Sequence, residues 1–284
     1  MHEERQGSVE LPPVSVIIPT FNRAAVLGRA MDSVLGQTYP HFELIVVDDG
    51  STDQTRDLVV SCDATIRYLY QPNQGPAAAR NAGIAAARFD LLAFLDSDDC
   101  FVPQKLTLQV AAMQAAPACR ISHTNEIWYR NGLHLNQKKK HRKASGDIFA
   151  QSLALCVVGM STVMARREFF ARVGLFDETF PCCEDYDLWL RASPSESFLL
   201  VDEPLTIKHG GRPDQLSVRH RIGMDRYRIR SIEKLLSHPA LTPLQRELAL
   251  AELIRKGTIY SKGCLKHGKA DEAAAIAVLL TRYR

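Results

Sequence analysis

The sequence contains no Cys-x-x-Cys pair. Its seven cysteines, Cys62, Cys100, Cys119, Cys156, Cys182, Cys183 and Cys264, are dispersed. That excludes a zinc ribbon, a redox dithiol and a disulfide-stapled miniprotein. The adjacent Cys182 and Cys183 are expected as free thiols in a reducing compartment. Long apolar runs are also missing. The longest, Leu153 to Met160, falls far short of the ~20 residues that a spanning helix needs. The opening MHEERQGSVELPP is charged and has no apolar core, so a signal peptide is not expected. There is no P-loop and no Gly-x-Gly-x-x-Gly, which removes the common ATPase and dinucleotide readings. No internal repeat or low-complexity linker breaks the chain. What remains is ordinary globular composition over 284 residues, 46% apolar and 24% charged, and this excludes a disordered or collagen-like chain. A cytoplasmic protein is expected.

Net charge is small, +3, but the charges are unevenly placed. Residues 1–207 hold 19 Lys and Arg against 25 Asp and Glu, whereas residues 208–284 hold 16 against 7. A basic C-terminal segment suits either a solvated helical face or contact with an anionic partner such as a membrane surface. A second basic run, Lys138 to Lys143, reads as a solvated loop.

The first half alternates strand and helix. Val14–Ile18 is a β-branched run ended by Pro19, and a helical pattern follows from Val26 to Leu35. Phe42–Val47 is the next strand, and Ser51 and Gln54 have the spacing of a capping box for a helix over 53–61. Strands are expected at 66–70 and 91–95, helices at 75–87 and 103–116, with Pro103 in a first turn. Four such alternations imply parallel strands with helical crossovers. Farther on, strands are expected at 121–129 and 155–165 and short helices at 168–173 and 184–191. Edge strands are expected at 198–201 and 206–209, then helices at 222–237, 243–262 and 270–282. The domain reading is a tail over 1–13, an α/β catalytic domain over 14–215 and a basic helical extension over 216–284.

Ligands of parallel sheets bind beyond the carboxyl ends of the strands. Here three strands end in polar clusters: Thr20-Phe21-Asn22, Asp48-Asp49 and Asp96-Ser97-Asp98-Asp99. Like charges gather only where something neutralises them. A hard divalent cation does so, and Mg²⁺ takes one or two carboxylates plus substrate phosphates. The bland alternative is a solvated turn capping the next helix.

Three stretches then carry a resemblance: VSVIIPTFNRAAVLGRAMDSVLGQTYPHFELIVVDDGSTDQT, NQGPAAARNAGIAAARFDLLAFLDSDD and VGLFDE…CCEDYDLWLRA. In this order, over residues 14 to about 192, the chain resembles the inverting family 2 glycosyltransferases of GT-A fold. The resemblance implies a mostly parallel central sheet flanked by helices, with a C-terminal helical extension. It implies a nucleotide-diphosphate-sugar donor, most commonly a UDP-sugar, bound with Mg²⁺ or Mn²⁺. Pro19, Thr20, Phe21 and Arg23 match the first nucleotide-binding loop, with Phe21 where the family often has Tyr over the base. Asp49 matches the acid that reads the base edge, with Asp48 beside it. Arg80 matches the Arg of the ARN segment, near base or phosphates. Asp96, Asp98 and Asp99 match the DxD region for ribose, metal and diphosphate. Asp185 matches the catalytic base of the ED motif, with Glu184 its neighbour. His209 sits near a late metal- or diphosphate-binding His. The Gln-x-x-Arg-Trp motif of the processive synthases is missing, which implies addition of one sugar to a glycan or lipid-linked acceptor in surface polysaccharide or cell-envelope glycan synthesis. Nucleic acid is not an expected partner, because strand-end acids repel phosphate unless a cation is bound.

Each residue also has a plainer role open to it. Asp185 can cap its helix, Arg80 can pair with an acid, His209 can be structural and Trp189 can be core. A non-catalytic nucleotide-sugar-binding relative is the alternative to the enzyme. A nucleotidyltransferase would carry a Gly-rich loop where this chain has PTFNRAAVLGR.

Overall fold

In the computed structural model, residues 11–220 and 222–283 are described. The expected tail over 1–13 therefore lies mostly outside the described residues. In chain order the first half contains β1 (Val14–Thr20), α1 (Ala24–Leu35), β2 (Phe42–Asp48), α2 (Thr55–Cys62), β3 (Arg67–Tyr70), α3 (Pro76–Ala86), β4 (Leu91–Phe94), β5 (Cys100–Phe101) and α4 (Lys105–Ala115). The middle contains β6 (Ile121–Arg130), β7 (Leu133–Leu135), α5 (Phe149–Ala154), β8 (Met164–Arg166), α6 (Arg167–Val173), α7 (Glu184–Ala192) and β9 (Phe198–Gly210). The last part is helical: α8 (Leu216–Arg219), α9 (Met224–Leu236), α10 (Pro243–Lys266) and α11 (Ala270–Thr281).

The strands form one sheet in the order β3-β2-β1-β4-β8-β6-β9-β5, with β7 paired to β6. The first four are parallel. β8 runs antiparallel to both β4 and β6, and β9 runs parallel to β6. β1, β2 and β4 are covered on both faces, which is why they read as continuous apolar runs rather than alternating ones. Alternate side chains go to opposite cores. Ile17 packs with Ile45, Ile84, Phe94 and Trp189. Val16 and Ile18 pack with Leu27, Met31 and Val34 of α1 and with Leu106 of α4. α3 sits so close to the sheet that a Cβ on Gly83 would stand 2.4 Å from Ile17 Cγ2.

A third core joins Phe149 and Leu153 of α5, Tyr186 and Leu190 of α7, and Ile229, Ile232, Leu253 and Leu280 of α9, α10 and α11. The C-terminal helices thus rest on α5 and α7. Lys234 of α9 reinforces the seam, pairing with Asp177 at 2.6 Å and with the buried Asp187 of α7 at 2.8 Å. No helix among the described residues is long and apolar enough to cross a membrane.

Several expected elements differ. The helix after β2 begins at Thr55 with Gln54 at its cap and no side-chain capping bond. Ser51 is drawn away, because its hydroxyl accepts from the Asn22 N–H at 2.8 Å. Pro103 stands ahead of α4 rather than in its first turn. Residues 155–165 form only the end of a strand. Met160–Thr162 is a 3₁₀ turn, and pairing starts at Met164. The two expected edge strands are one continuous β9, which lies inside the sheet; its register shifts opposite Thr124–Glu126 absorb Pro204.

Candidate active site

The carboxyl ends of β1, β2 and β4 open into a cleft of about 1500 Å³. Pro19, Thr20, Phe21 and Arg23 line it, as do Asp49, Arg80, Asp96, Asp98, Asp99, Asp185 and His209. Asp48 does not line it. Its carboxylate is buried, accepting from the Tyr68 hydroxyl at 2.6 Å and the Ser51 N–H at 2.8 Å. The contact with Asp48 and burial together push the Tyr68 phenol well above its usual range, with burial the larger cause.

The loop after β1 is fixed by Asn22, which takes the left-handed conformation (φ 52°). Its side-chain oxygen accepts from the Thr52 N–H at 2.7 Å, tying this loop to the one after β2. Pro19 is tolerated in a central strand because β4 stops pairing opposite Ile17, leaving only β2 beside it. Phe21 is 37% exposed at the cleft. Arg23 is ion-paired to Asp214 and donates to its carbonyl at 2.9 Å.

Asp49 organises the next wall. It accepts from the Gln71 side chain (2.7 Å) and from the N–H groups of Gln74 (2.9 Å) and Gly75 (2.8 Å). Gly50 makes this possible: its φ is +83°, and a Cβ there would meet Asn73 N at 2.7 Å.

Arg80 is buried and joins two acids distant in sequence. It donates to Asp96 at 2.8 Å and is ion-paired with Glu184. Burial disfavours its charge, but Glu184 and Asp96 outweigh that and hold it charged. Burial raises the Asp96 carboxyl, yet Arg80 and Lys208 bring it below its usual value. For Glu184 burial wins, and its carboxyl sits above the usual range despite Arg80. Asp185 follows in the first turn of α7, whose cap residue Cys183 is left-handed (φ 64°), a conformation that is uncommon for a residue with a Cβ. The Cys156 thiol donates to Asp185 Oδ2 at 3.3 Å.

Behind this cluster Asp99 is fully engaged. It accepts from the Ser161 hydroxyl (2.6 Å) and the His209 N–H (3.2 Å), with Lys208 Nζ at 3.8 Å. Burial is the largest cause lifting its carboxyl to about 8, and Asp96 and Asp98 push the same way. Asp98 accepts from the Gln215 amide at 2.7 Å. The His209 ring stacks on Tyr129, with centroids 5.7 Å apart.

Residues 15–174 match the profile of glycosyl transferase family 2, more than half of the sequence. This chain belongs to that family. The chain is 38% identical over 201 residues to an uncharacterized glycosyltransferase of Rickettsia felis, covering 68% of this chain and 32% of that one. It is 30% identical over 199 residues to one of Haemophilus influenzae, covering 68% and 67%. The match spans about a third of the length of the Rickettsia felis and Rickettsia conorii relatives. Among solved structures it is similar to S. aureus TarS in complex with UDP-GlcNAc, with TM-score 0.67, 19% identity and coverage of 86% of this chain and 71% of that one. It is also similar to the mannosyltransferase PcManGT from Pyrobaculum calidifontis, in complex with GDP-Man and Mn²⁺, with TM-score 0.58, 19% identity and coverage of 96% and 76%. The chain has the GT-A fold.

Sequence reasoning passed over several groups of this cleft. Lys208 Nζ stands 3.8 Å from Asp99, and a charged residue amid the strand pattern of Thr206–His209 was its one signal. Gln215 bridges Asp98 and the His209 carbonyl. Met224 and Arg228 reach the cleft from α9, beyond the expected catalytic region.

Proposed function

We propose that this transferase moves one sugar from a nucleotide-diphosphate sugar, a UDP-sugar first among them, to a hydroxyl of a glycan or lipid-linked acceptor with inversion, in surface polysaccharide or cell-envelope glycan synthesis. One observation carries the reading. A single buried guanidinium, Arg80, joins the strand-end acid Asp96 to the residue that precedes Asp185. The donor edge and the expected base therefore share one rigid cluster. The cleft is large enough for a nucleotide sugar.

The donor set suits a hard cation. Among the described residues, no group of three or more His, Cys, Asp and Glu side chains is arranged to hold a metal. One protein carboxylate plus substrate phosphates is what Mg²⁺ or Mn²⁺ takes, and Asp98 supplies it. Such an ion offsets the negative charge that builds on the departing diphosphate. Asp99 and His209 take supporting parts here, since both Asp99 oxygens are engaged and it holds the His209 backbone. Arg80 holds acids rather than donor, and Asp48 shapes the turn. Phe21 covers the base, and Asp49 reads its edge while holding the 71–75 loop. Asp185 removes the proton of the attacking hydroxyl, a step for which a positioned carboxylate is needed. Attack from the face opposite the diphosphate needs no covalent enzyme intermediate. Exposed Leu216, Val218 and Ile222 beside basic Arg219 support peripheral contact with an anionic membrane carrying the acceptor.

Thermal unfolding with UDP, GDP, dTDP and CDP, each with and without Mn²⁺, tests the reading. A nucleotide at 100 times its Kd stabilises by about 2.7 kcal/mol. The expected result is a Mn²⁺-dependent shift with one nucleotide, lost in Asp98→Asn. Absence of a shift with every nucleotide refutes the donor site.

A further inference from the structure

β6 and β7 form a hairpin closed by Asn131 (φ 52°) and Gly132 (φ 79°), the tight two-residue turn that Asn-Gly favours. Arg130 stands opposite Leu133, and Trp128 opposite Leu135, so these four side chains share one face. Residues 130–140 are exposed without a break. Leu133 is 75% exposed and Leu135 42%. Two leucines held in water on a rigid tip are an unpartnered apolar surface.

The same stretch is strongly basic. Residues 127–146 hold Arg130, Lys138, Lys139, Lys140, Arg142 and Lys143 and no Asp or Glu. Lys143 is buried, 3.5 Å from Glu126. The other five have no carboxylate partner among the described residues and are exposed. The lysine run is not a detached loop. His141 sets its ring against Trp128 with centroids 4.9 Å apart, and the Gln137 amide donates to the Glu126 carbonyl at 2.7 Å. The lysines are thereby tied to the root of the hairpin, beside the face that carries the leucines.

The hairpin also adjoins the segment that leads to α8. The Asn131 N–H donates to the Gly210 carbonyl at 3.0 Å, and a Cβ on Gly211 would stand 2.1 Å from Asn131 Oδ1. Trp128, Arg130 and Leu135 line the cleft, as do Leu216 and Val218. The apolar tips of two neighbouring segments thus stand at the mouth of one cleft.

We propose that the β6–β7 hairpin is a membrane-docking element: Leu133 and Leu135 enter the interfacial layer of an anionic phospholipid bilayer while Arg130 and Lys138–Lys140 meet its headgroups. This deepens the glycosyl-transfer reading above and rests on it for a membrane-borne acceptor, which the hairpin would bring to the cleft mouth. Charge selects the occupant. A second copy of this chain would set the same unpaired cations against each other, and a soluble polyanion would leave Leu133 in water. An anionic bilayer meets both the cations and the leucines.

The test is flotation of the full chain with phosphatidylcholine vesicles, with and without 30 mol% phosphatidylglycerol as ~30% of the lipid. Binding is expected only with the anionic lipid, and less at 0.5 M NaCl, where the Debye length falls to about 4 Å. Lys138→Gln/Lys139→Gln/Lys140→Gln should weaken it about 100-fold, at roughly fivefold per cation, and Leu133→Ser at least about tenfold. Leu133→Trp should show a blue-shifted emission with anionic vesicles and quenching by brominated acyl chains. All these changes are on exposed side chains, so each variant should melt within about 2 °C of the parent, which shows that it folds. Absence of binding to anionic vesicles, binding unchanged in the lysine variant, or an unquenched Leu133→Trp overturns the proposal. A dimer in solution that Leu133→Ser dissolves assigns the face to a second copy and overturns it too. The donor reading is judged separately, by nucleotide shifts without vesicles. A parent that floats through this hairpin but binds no nucleotide loses the donor site and keeps the docking element, and one that binds nucleotide but does not float loses only the docking element.

Discussion

Replacing Arg80 by Met removes the cation between Asp96 and Glu184 while keeping most of its bulk. Asp96 is 31% exposed and rehydrates, so its share is small. Glu184 is 5% exposed and has no such escape. Breaking a buried pair costs about 3–5 kcal/mol because one charge is left unpaired, and with Glu184 carrying most of it the low end, about 3 kcal/mol, is expected. For a chain of this size that lowers Tm by about 6–12 °C. The pH dependence is more diagnostic. Burial already holds the Glu184 carboxyl above its usual range, and losing Arg80 raises it further. An acid whose folded pKa is raised keeps its proton in the fold, so the variant loses stability as pH rises above the unfolded value near 4.3. The gap to the parent should be widest at neutral pH and narrow toward pH 5. Urea unfolding of the parent, Arg80→Met and Arg80→Met/Glu184→Gln at pH 5.5 and 7.5 reads this directly. The double variant should regain a substantial part of the loss. A gap below about 1 kcal/mol, a gap equal at both pH values, or a double variant less stable than the single one refutes the reasoning.

Asp185→Asn should bind nucleotide diphosphate as the parent does and lose at least about 100-fold in transfer; near-normal turnover removes Asp185 as the base. His123 is buried, its Nε2–H donates to the Ala144 carbonyl (3.0 Å), and burial lowers its pKa to about 3, with Lys143 adding to the effect. The fold holds it neutral, so stability is lost as pH falls from about 6.5 toward 3, by up to ~1.4 kcal/mol per pH unit; His123→Gln should flatten that part of an acid-unfolding series, and an unchanged slope counts against the assignment. Gly83→Ala should gain about 1 kcal/mol of helix propensity, yet the contact with Ile17 makes it a net loss of about 1–2 kcal/mol by overpacking; a more stable Gly83→Ala in urea unfolding rules out that close approach.

The strand-helix alternation of residues 14–116 was legible because each element carries its own period and its own ending. Asp49, Asp96 and Asp98 were legible for the same reason, as polar residues placed at the ends of apolar runs. The pairing of Arg80 with Glu184 was not, since 104 residues separate them and only the closed sheet brings α3 and α7 together. Arg80 was therefore expected near base or phosphates, with pairing to an acid as its plainer role, but neither acid could be named. Residues 155–165 carry strand-like composition, but the Gly159 carbonyl accepts from the Thr162 N–H and hydroxyl and curls them into a turn.

The seating of α7 also bears on when the protein becomes competent during synthesis. The four parallel strands pair among themselves once β4 has emerged, whereas β5 and the other edge of β4 wait for β9 and β8. α7 buries Tyr186 and Leu190 against side chains of α9 and α10. Chains fold from the N-terminal side as they are made, so the helix bearing Asp185 gains its backing only when those late helices leave the ribosome. A partly made chain can thus pair its parallel strands early, whereas Asp98, Asp99 and Arg23 gain their partners Gln215, Ser161, His209 and Asp214 only from later residues, and Asp185 is fixed last.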